Sequence, residues 1–298
     1  PMGKHLKFIS SKYLDSYSSK CKIDWLEVFH KLRSKSIFST EDFEYYLIAS
    51  SLYSSKIEGN TLDANSFFRN RGNKTFPKKK EVQEIEDLVK AYRFASENNL
   101  NKTNFFKTHG ISAKTLLTAD LRGKVRKQQV GVHDSKSLKP VYLAVEPEFV
   151  NEELSKLFDD ISELLNRDLS YKEVFYYASM IHLWTAKIHP FMDGNGRSAR
   201  LLEKWFLVSK LGMPAWSINS EKYYWDKRPD YYHNIALGYN YYALYWDRCV
   251  PFLFLCRLFC FSLRIVWTCR CFFACWPHWL RSFGVGDMSR RLLNCLVL

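Results

Sequence analysis

Cysteine is nearly missing from the body of this chain: Cys21 stands alone before residue 249, and the rest crowd between Cys249 and Cys295. A disulfide framework across the body is thereby excluded. No long apolar run opens the chain, so no signal peptide is read and a reducing, cytoplasmic setting is expected. No internal repeat is present. The end of the chain lacks more still, with no glutamate after Glu221, no lysine after Lys227 and no tyrosine after Tyr245. Its apolar stretch is broken by Arg257, Arg264 and Arg270. Each arginine costs about 2.5–3.5 kcal/mol mid-membrane while each Leu, Ile, Phe or Val returns only about 0.3–0.6, so a spanning helix is not expected. Cys269, Cys271 and Cys275 lack a clean CxxC pair, which makes zinc a weak reading. Residues 263–298 are read as an atypical Cys/Arg-rich tail, for which out-of-frame translation is one origin, and are given no functional role.

Apolar residues make up 47% and aromatics 16% of the 298, enough for a sizeable core and against intrinsic disorder. The formal net charge of +13 favours an anionic partner, whether nucleotide, nucleic acid or acidic membrane, or else reflects surface lysines kept for solubility.

Periodicity makes the chain mainly α. A short helix is read in DWLEVFHKLR. A second is expected over about 41–59, with Thr40 as N-cap and Gly59 as its stop. RNRGNKTFPKKK is a basic loop. Further helices are read in EVQEIEDLVKAYRFASEN, near 104–118, in EFVNEELSKLFDDISELLN, in YKEVFYYASMIHLWTAKI, from the Gly-Asn-Gly to about Gly212, and across roughly 220–245. One small β element is expected, with GKVRKQQVGV and PVYLAV extended on either side of HDSKSLKP.

Twelve residues, HPFMDGNGRSAR from His189 to Arg200, carry the chemistry. His189 at a helix end can be a neutral proton acceptor. Asp193 offers a hard oxygen suited to Mg²⁺ bound with phosphates. Gly194 and Gly196 let backbone approach a ligand closely, and the helix that follows opens with unpaired N–H groups facing an anion. Arg197 and Arg200 lie at i and i+3, so both reach one phosphate chain. Singly, each residue also fits a structural role; together they describe phosphate chemistry on a nucleotide.

This stretch resembles the signature of the Fic (filamentation-induced-by-cAMP) family, HPFx[D/E]GNGRxxR, at every specified position. The resemblance implies a Fic-type helical domain with a small β-hairpin flap, transferring AMP from ATP to a hydroxyl side chain of a target protein. It makes His189 the general base and Asp193 the Mg²⁺ ligand. It places ATP along Asp193, Gly194, Asn195, Gly196, Arg197, Ser198, Ala199 and Arg200, with Arg200 on the γ-phosphate. GKVRKQQVGV looks like the family's flap (about 123–145), with Val130, Gly131, Val132 and His133 nearest the nucleotide and the target's Ser, Thr or Tyr segment docking by strand addition. Tyr231 and Tyr232 look like tyrosines near the adenosine, although either equally fits a core position. DRCVPFLFL resembles the domain's closing helix. The implied organisation is an N-terminal helical region over 1–100 and a catalytic core over 101–262.

A second motif, Ser54-x-x-x-Glu58-Gly59, is similar to the family's inhibitory pattern. It implies that Glu58 pairs bidentately with Arg200 and holds the enzyme back, as a within-chain, N-terminal (class II) brake. Removal of AMP is a linked activity, and self-modification and homo-oligomer formation are further expectations; a membrane partner is not expected. The rival readings are a nucleotide-sensing or DNA-binding regulatory module, prompted by the basic loop, and transfer of a different phosphate-containing group.

Overall fold

A computed structural model of the chain describes residues 6–20, 39–133, 140–246, 249, 252 and 253. The helix read in DWLEVFHKLR and the tail from 263 lie outside the described residues. The closing helix near 247–255 is described only at Cys249, Phe252 and Leu253, which are helical and buried.

Among the described residues, ten α-helices and one two-stranded antiparallel sheet confirm a mainly α fold with a small hairpin. In chain order these are α1 (Leu14–Lys20), α2 (Thr40–Ile57), α3 (Ala64–Asn70), α4 (Lys79–Glu97) and α5 (Lys102–Ser112). Then come β1 (Gly131–His133), β2 (Pro140–Leu143), α6 (Val150–Asn166), α7 (Tyr171–Ile188) and α8 (Asn195–Leu211). A 3-10 turn (Met213–Ser217), α9 (Ser220–Asp226) and α10 (Arg228–Ile235) complete the series. None of the described helices is long and apolar enough to cross a membrane.

The centre is the pair α7 and α8, packed side by side with the HPF loop between them. Tyr176, Ile181, Leu183, Leu202, Phe206 and Leu207 are buried there, and α6 lays Leu154, Leu157 and Ile161 against them. Ser170 starts α7 through a capping box with Glu173, as its S-x-x-E spacing dictates.

Helix α2 lies against α4, α9, α8 and the 3-10 turn, which explains its imperfect apolar stripe: from Tyr46 to Ser55 every residue is buried. Four are serines, Ser50, Ser51, Ser54 and Ser55, small enough to let α2 sit among several neighbours. Lys204 Nζ meets Glu221 Oε2 at 2.7 Å beside Ser50, and Tyr92 OH donates to Glu221 Oε1 at 2.7 Å, so the charges buried near α2 are paired.

Several expectations need correction. The N-cap of α2 is Ser39, not Thr40: Ser39 is extended and its Oγ accepts from Asp42 N at 3.1 Å. Thr40 is already helical. The helix expected near 104–118 is α5, which ends at Ser112 and gives way to turns. GKVRKQQ is not strand; only the Gly131–His133 end pairs, because Arg126 turns the preceding backbone toward Pro190 O (3.0 Å). The helix expected over 220–245 is two short helices, since Pro229 starts α10 afresh and the chain after Ile235 leaves helix. There Leu143 N donates to Tyr239 O at 2.8 Å and Tyr241 N to Leu143 O at 3.0 Å, lining the second edge of β2.

Candidate active site

His189 caps the C-terminus of α7 in left-handed backbone (φ 50°), alone among the described non-glycine residues in positive φ. That turn throws the chain out of the helix and into Pro190. Its Nδ1 lies 3.1 Å from Ala186 O. A carbonyl only accepts, so Nδ1 carries the proton and Nε2 keeps its lone pair. Burial pushes the imidazole below its ordinary value, the Arg126 and Lys187 charges add to this, and the Ala186 carbonyl and Glu58 oppose it. His189 is therefore neutral near pH 7.

The loop beyond is locked from within. Asn195 Oδ1 accepts from Phe191 N at 2.8 Å and Asn195 Nδ2 donates to Phe191 O at 2.8 Å. The Asn195 side chain is thus committed to loop geometry, leaving its backbone N–H for an anion. Asp193 is exposed, and its Oδ1 accepts from Gly194 N at 2.6 Å. Gly194 is the N-cap of α8 at φ 79°, and no side chain caps that end. The first N–H groups of α8 therefore face outward with the positive end of the helix dipole.

An anion of the chain's own sits there. A Cβ on Gly196 would run into Glu58 Oε1, so the glycine makes room for the carboxylate. Arg200, 1% exposed, donates from Nη2 to Glu58 Oε1 at 2.7 Å, from Nη2 to Ser54 O at 3.0 Å and from Nε to Ser54 Oγ at 2.9 Å. Its Nη1 donates to Tyr231 OH at 3.2 Å. The expected bidentate Arg–Glu fork is thus replaced by a single contact, because Ser54 and Tyr231 take the other donors. Partial burial would raise the Glu58 carboxyl, but the Arg200 guanidinium outweighs it by charge and hydrogen bond, helped by Arg197 and His189, and holds it below its ordinary value.

Arg197 is 6% exposed and reaches Glu84 Oε2 only at 3.5 Å, while its buried Nε and Nη1 have no hydrogen-bond partner. Ser198 Oγ is likewise buried and unpartnered, and Ala199 is fully buried against the core. Tyr231 is buried at Arg200, whereas Tyr232, 41% exposed, donates to Ile57 O at 2.9 Å and so holds the end of α2.

In the hairpin, Gly131 pairs with Leu143 and Val132 with Tyr142, and Val130 O accepts from Ala144 N at 3.2 Å. His133 pairs with Pro140, its side chain being outside the described residues. The hairpin is joined to the motif by residues that the sequence did not single out. Buried Arg126 donates from Nε to His189 O (2.8 Å), from Nη1 to Gln128 O (3.0 Å) and from Nη2 to Val145 O. Tyr142 OH donates to Lys187 O at 2.7 Å, and Lys187 Nζ sits 4.4 Å from the Tyr142 ring. Burial drops the Lys187 ammonium to about 8.

His109 is a further such residue. It stacks on Phe191 with 3.6 Å between centroids, its Nδ1 accepts from Gly123 N at 3.0 Å, and its Nε2 donates to Asp193 O at 3.0 Å. The bond from Gly123 N needs the neutral ring, since a protonated Nδ1 cannot accept. Burial lowers His109 to about 4, against a smaller upward pull from Asp193. The unfolded chain protonates near 6.5, so this group's stabilisation is full above about pH 6.5 and is lost as pH falls toward about 4, a change of about 3 kcal/mol. Urea unfolding across that window should show His109→Gln losing less stability on acidification than the parent; equal losses would remove His109 as the cause.

Residues 99–207, which span α5 to most of α8, match the Fic/DOC family model. Among solved structures, the chain is similar to a Fic family protein from Desulfovibrio desulfuricans G20, with TM-score 0.71 and 17% identity over 98% of this chain and 86% of that one. It is also similar to Fic-1 from C. elegans (TM-score 0.59, 20% identity, 88% of this chain and 72% of that one). A Fic domain containing signaling protein from Bacteroides thetaiotaomicron VPI-5482 matches at TM-score 0.57 and 17% identity, over 85% of this chain and 94% of that one. At these identities the solved structures speak for the fold, and the family match covers the motif itself. Over residues 99–207, which carry the HPFMDGNGRSAR motif, the chain is similar to the Fic/DOC family.

Proposed function

We propose that the chain is an autoinhibited protein adenylyltransferase, moving AMP from ATP to a hydroxyl of a target protein. The observation that carries the reading is an anion site held by the chain's own carboxylate: Glu58 Oε1 lies over Gly196 at the start of α8 and on Arg200. A triphosphate needs the same space at the start of α8 and the same guanidinium. The buried, unpartnered Nε and Nη1 of Arg197 add donors suited to phosphate oxygens.

In this reading, the target hydroxyl gives its proton to His189 Nε2 as its oxygen attacks the α-phosphorus. The bond to the β-phosphate oxygen breaks in line, and pyrophosphate leaves against Arg197 and Arg200. Catalysis is then positioning plus preset charge. The exposed Asp193 carboxylate, with one oxygen held by Gly194 N, fits Mg²⁺, an ion bound through one or two carboxylates and substrate phosphates. Such an ion supplies charge neutralisation on the phosphates. The target segment docks along the hairpin, whose stem Arg126 and Tyr142 fix to the main chain at His189 and Lys187.

With Glu58 on Arg200, ATP is denied the grip that sets the in-line pose. The test is AMP transfer from α-labelled ATP with Mg²⁺ to the protein itself and to lysate, comparing wild type, Glu58→Gly and Glu58→Gly/His189→Ala. Label only with Glu58→Gly supports the chemistry and the brake together. No label from any of the three, with label from γ-labelled ATP, would replace AMP by another transferred group.

A further inference from the structure

We propose that His182 and Glu203 are positioning residues for Arg200, acting through the hydroxyl of Tyr231. The inference rests on the phosphate-gripping role proposed above for Arg200. His182 and Glu203 lie one to a helix on α7 and α8, 0% and 1% exposed. His182 Nδ1 is 2.6 Å from Glu203 Oε2, and Tyr224 OH donates to Glu203 at 3.0 Å. On the far side of the ring, His182 Nε2 is 3.1 Å from Tyr231 OH, which accepts from Arg200 Nη1 at 3.2 Å.

These bonds run in one direction. A carboxylate oxygen accepts, so Nδ1–H points to Glu203, and in the neutral ring Nε2 is then the acceptor. That Nε2 accepts a hydrogen bond from the Tyr231 hydroxyl, which turns the oxygen's lone pairs toward Arg200. A phenol that could rotate freely would present its hydrogen to the guanidinium part of the time; this one has its direction set from behind. Apolar side chains would fill the space as well and avoid burying a carboxylate, so packing does not explain the set.

Arg200 is consequently held from two sides. Ser54 and Glu58 hold it from α2, and Tyr231, backed by His182 and Glu203, holds it from α10. When the α2 contacts are released, the second set remains and keeps the guanidinium where the outer phosphate arrives. Sequence gave no hint of this, since a histidine within MIHLW on an apolar helix reads as core.

Calorimetric titration of ATP and of ADP tests the proposal in the Glu58→Gly background, because Arg200 is assigned to the phosphate that ADP lacks. Glu58→Gly should bind ATP more tightly than ADP. Adding Tyr231→Phe or His182→Leu should shrink that preference by about 10-fold, about 1.4 kcal/mol, with ADP affinity little changed. His182→Gln, whose amide oxygen can stand in for Nε2, should recover most of it. If ATP and ADP weaken together, or the preference survives Tyr231→Phe in a protein that melts as the parent does, the positioning role is overturned. Tyr231→Phe decides the matter if His182→Leu does not fold. A Glu58→Gly parent with no preference for ATP would instead overturn the γ-phosphate role of Arg200, a distinct failure.

Discussion

Replacing Glu58 with glycine should raise AMP transfer from α-labelled ATP by about 10²-fold, the scale of one charge contact aimed at a reacting phosphate. The side chain removed is one of Arg200's three partners, and Ser54 and Tyr231 continue to hold the guanidinium in place. The gain therefore comes from freeing a cation and the start of α8, with little movement of either. Glu58→Gln fills the same space without the charge and should give a smaller rise. The pH dependence is part of the same expectation. Since Glu58 is held below its ordinary value, its ion pair is intact above the ordinary carboxylate range and is lost only as pH falls through that lowered value. Wild type should stay restrained from about pH 8 to about pH 6. A wild-type rate that climbed toward the Glu58→Gly rate within that interval would contradict the assignment.

His189→Ala in the Glu58→Gly background should cost about 10²–10⁴-fold in transfer rate, or about 2.7–5.4 kcal/mol, the usual range for a positioned general base. Nucleotide affinity should change little, because the imidazole acts on the incoming hydroxyl and the phosphates are gripped from α8. The pH profile offers a second check. His189 is depressed by burial and by the Arg126 and Lys187 charges, and it loses the upward pull of Glu58 in this variant. The rate should be flat near neutrality and fall only below the ordinary imidazole range, at about pH 6.5. Rates for His189→Ala equal to its parent would remove the imidazole from proton transfer.

The fold class and the cluster around His189 were legible because their determinants are local. Ser170 and Glu173 cap α7 within one turn, and HPFMDGNGRSAR runs without a break from the end of α7 into the first turns of α8. The meeting of Glu58 with Arg200 was also expected, but only from a resemblance, since nothing local joins α2 to α8. Residues whose work is wholly long-range stayed hidden. Arg126 acts on the main chain at His189, 63 positions away, and looked like one basic residue of an extended segment. His109 lies in a helical stretch with no motif around it, and its use depends on where Gly123 and Asp193 come to rest. The shortened strand before Val130 has the same origin: a buried guanidinium, invisible to β-propensity, decides the path of the chain.

Gly196 joins these themes in genetic terms. Its missing side chain leaves room for the Glu58 oxygen, and a phosphate approaching the start of α8 would use the same room. An allele that fills position 196 would evict the inhibitor and the nucleotide at once, and would score as a null. Activating alleles should therefore be recovered on α2, at Ser54 or Glu58, while alleles within 189–200 should be loss-of-function. A suppressor screen starting from a Gly196 null should yield true revertants and no second-site change on α2, because lifting the restraint restores nothing where the substrate cannot enter.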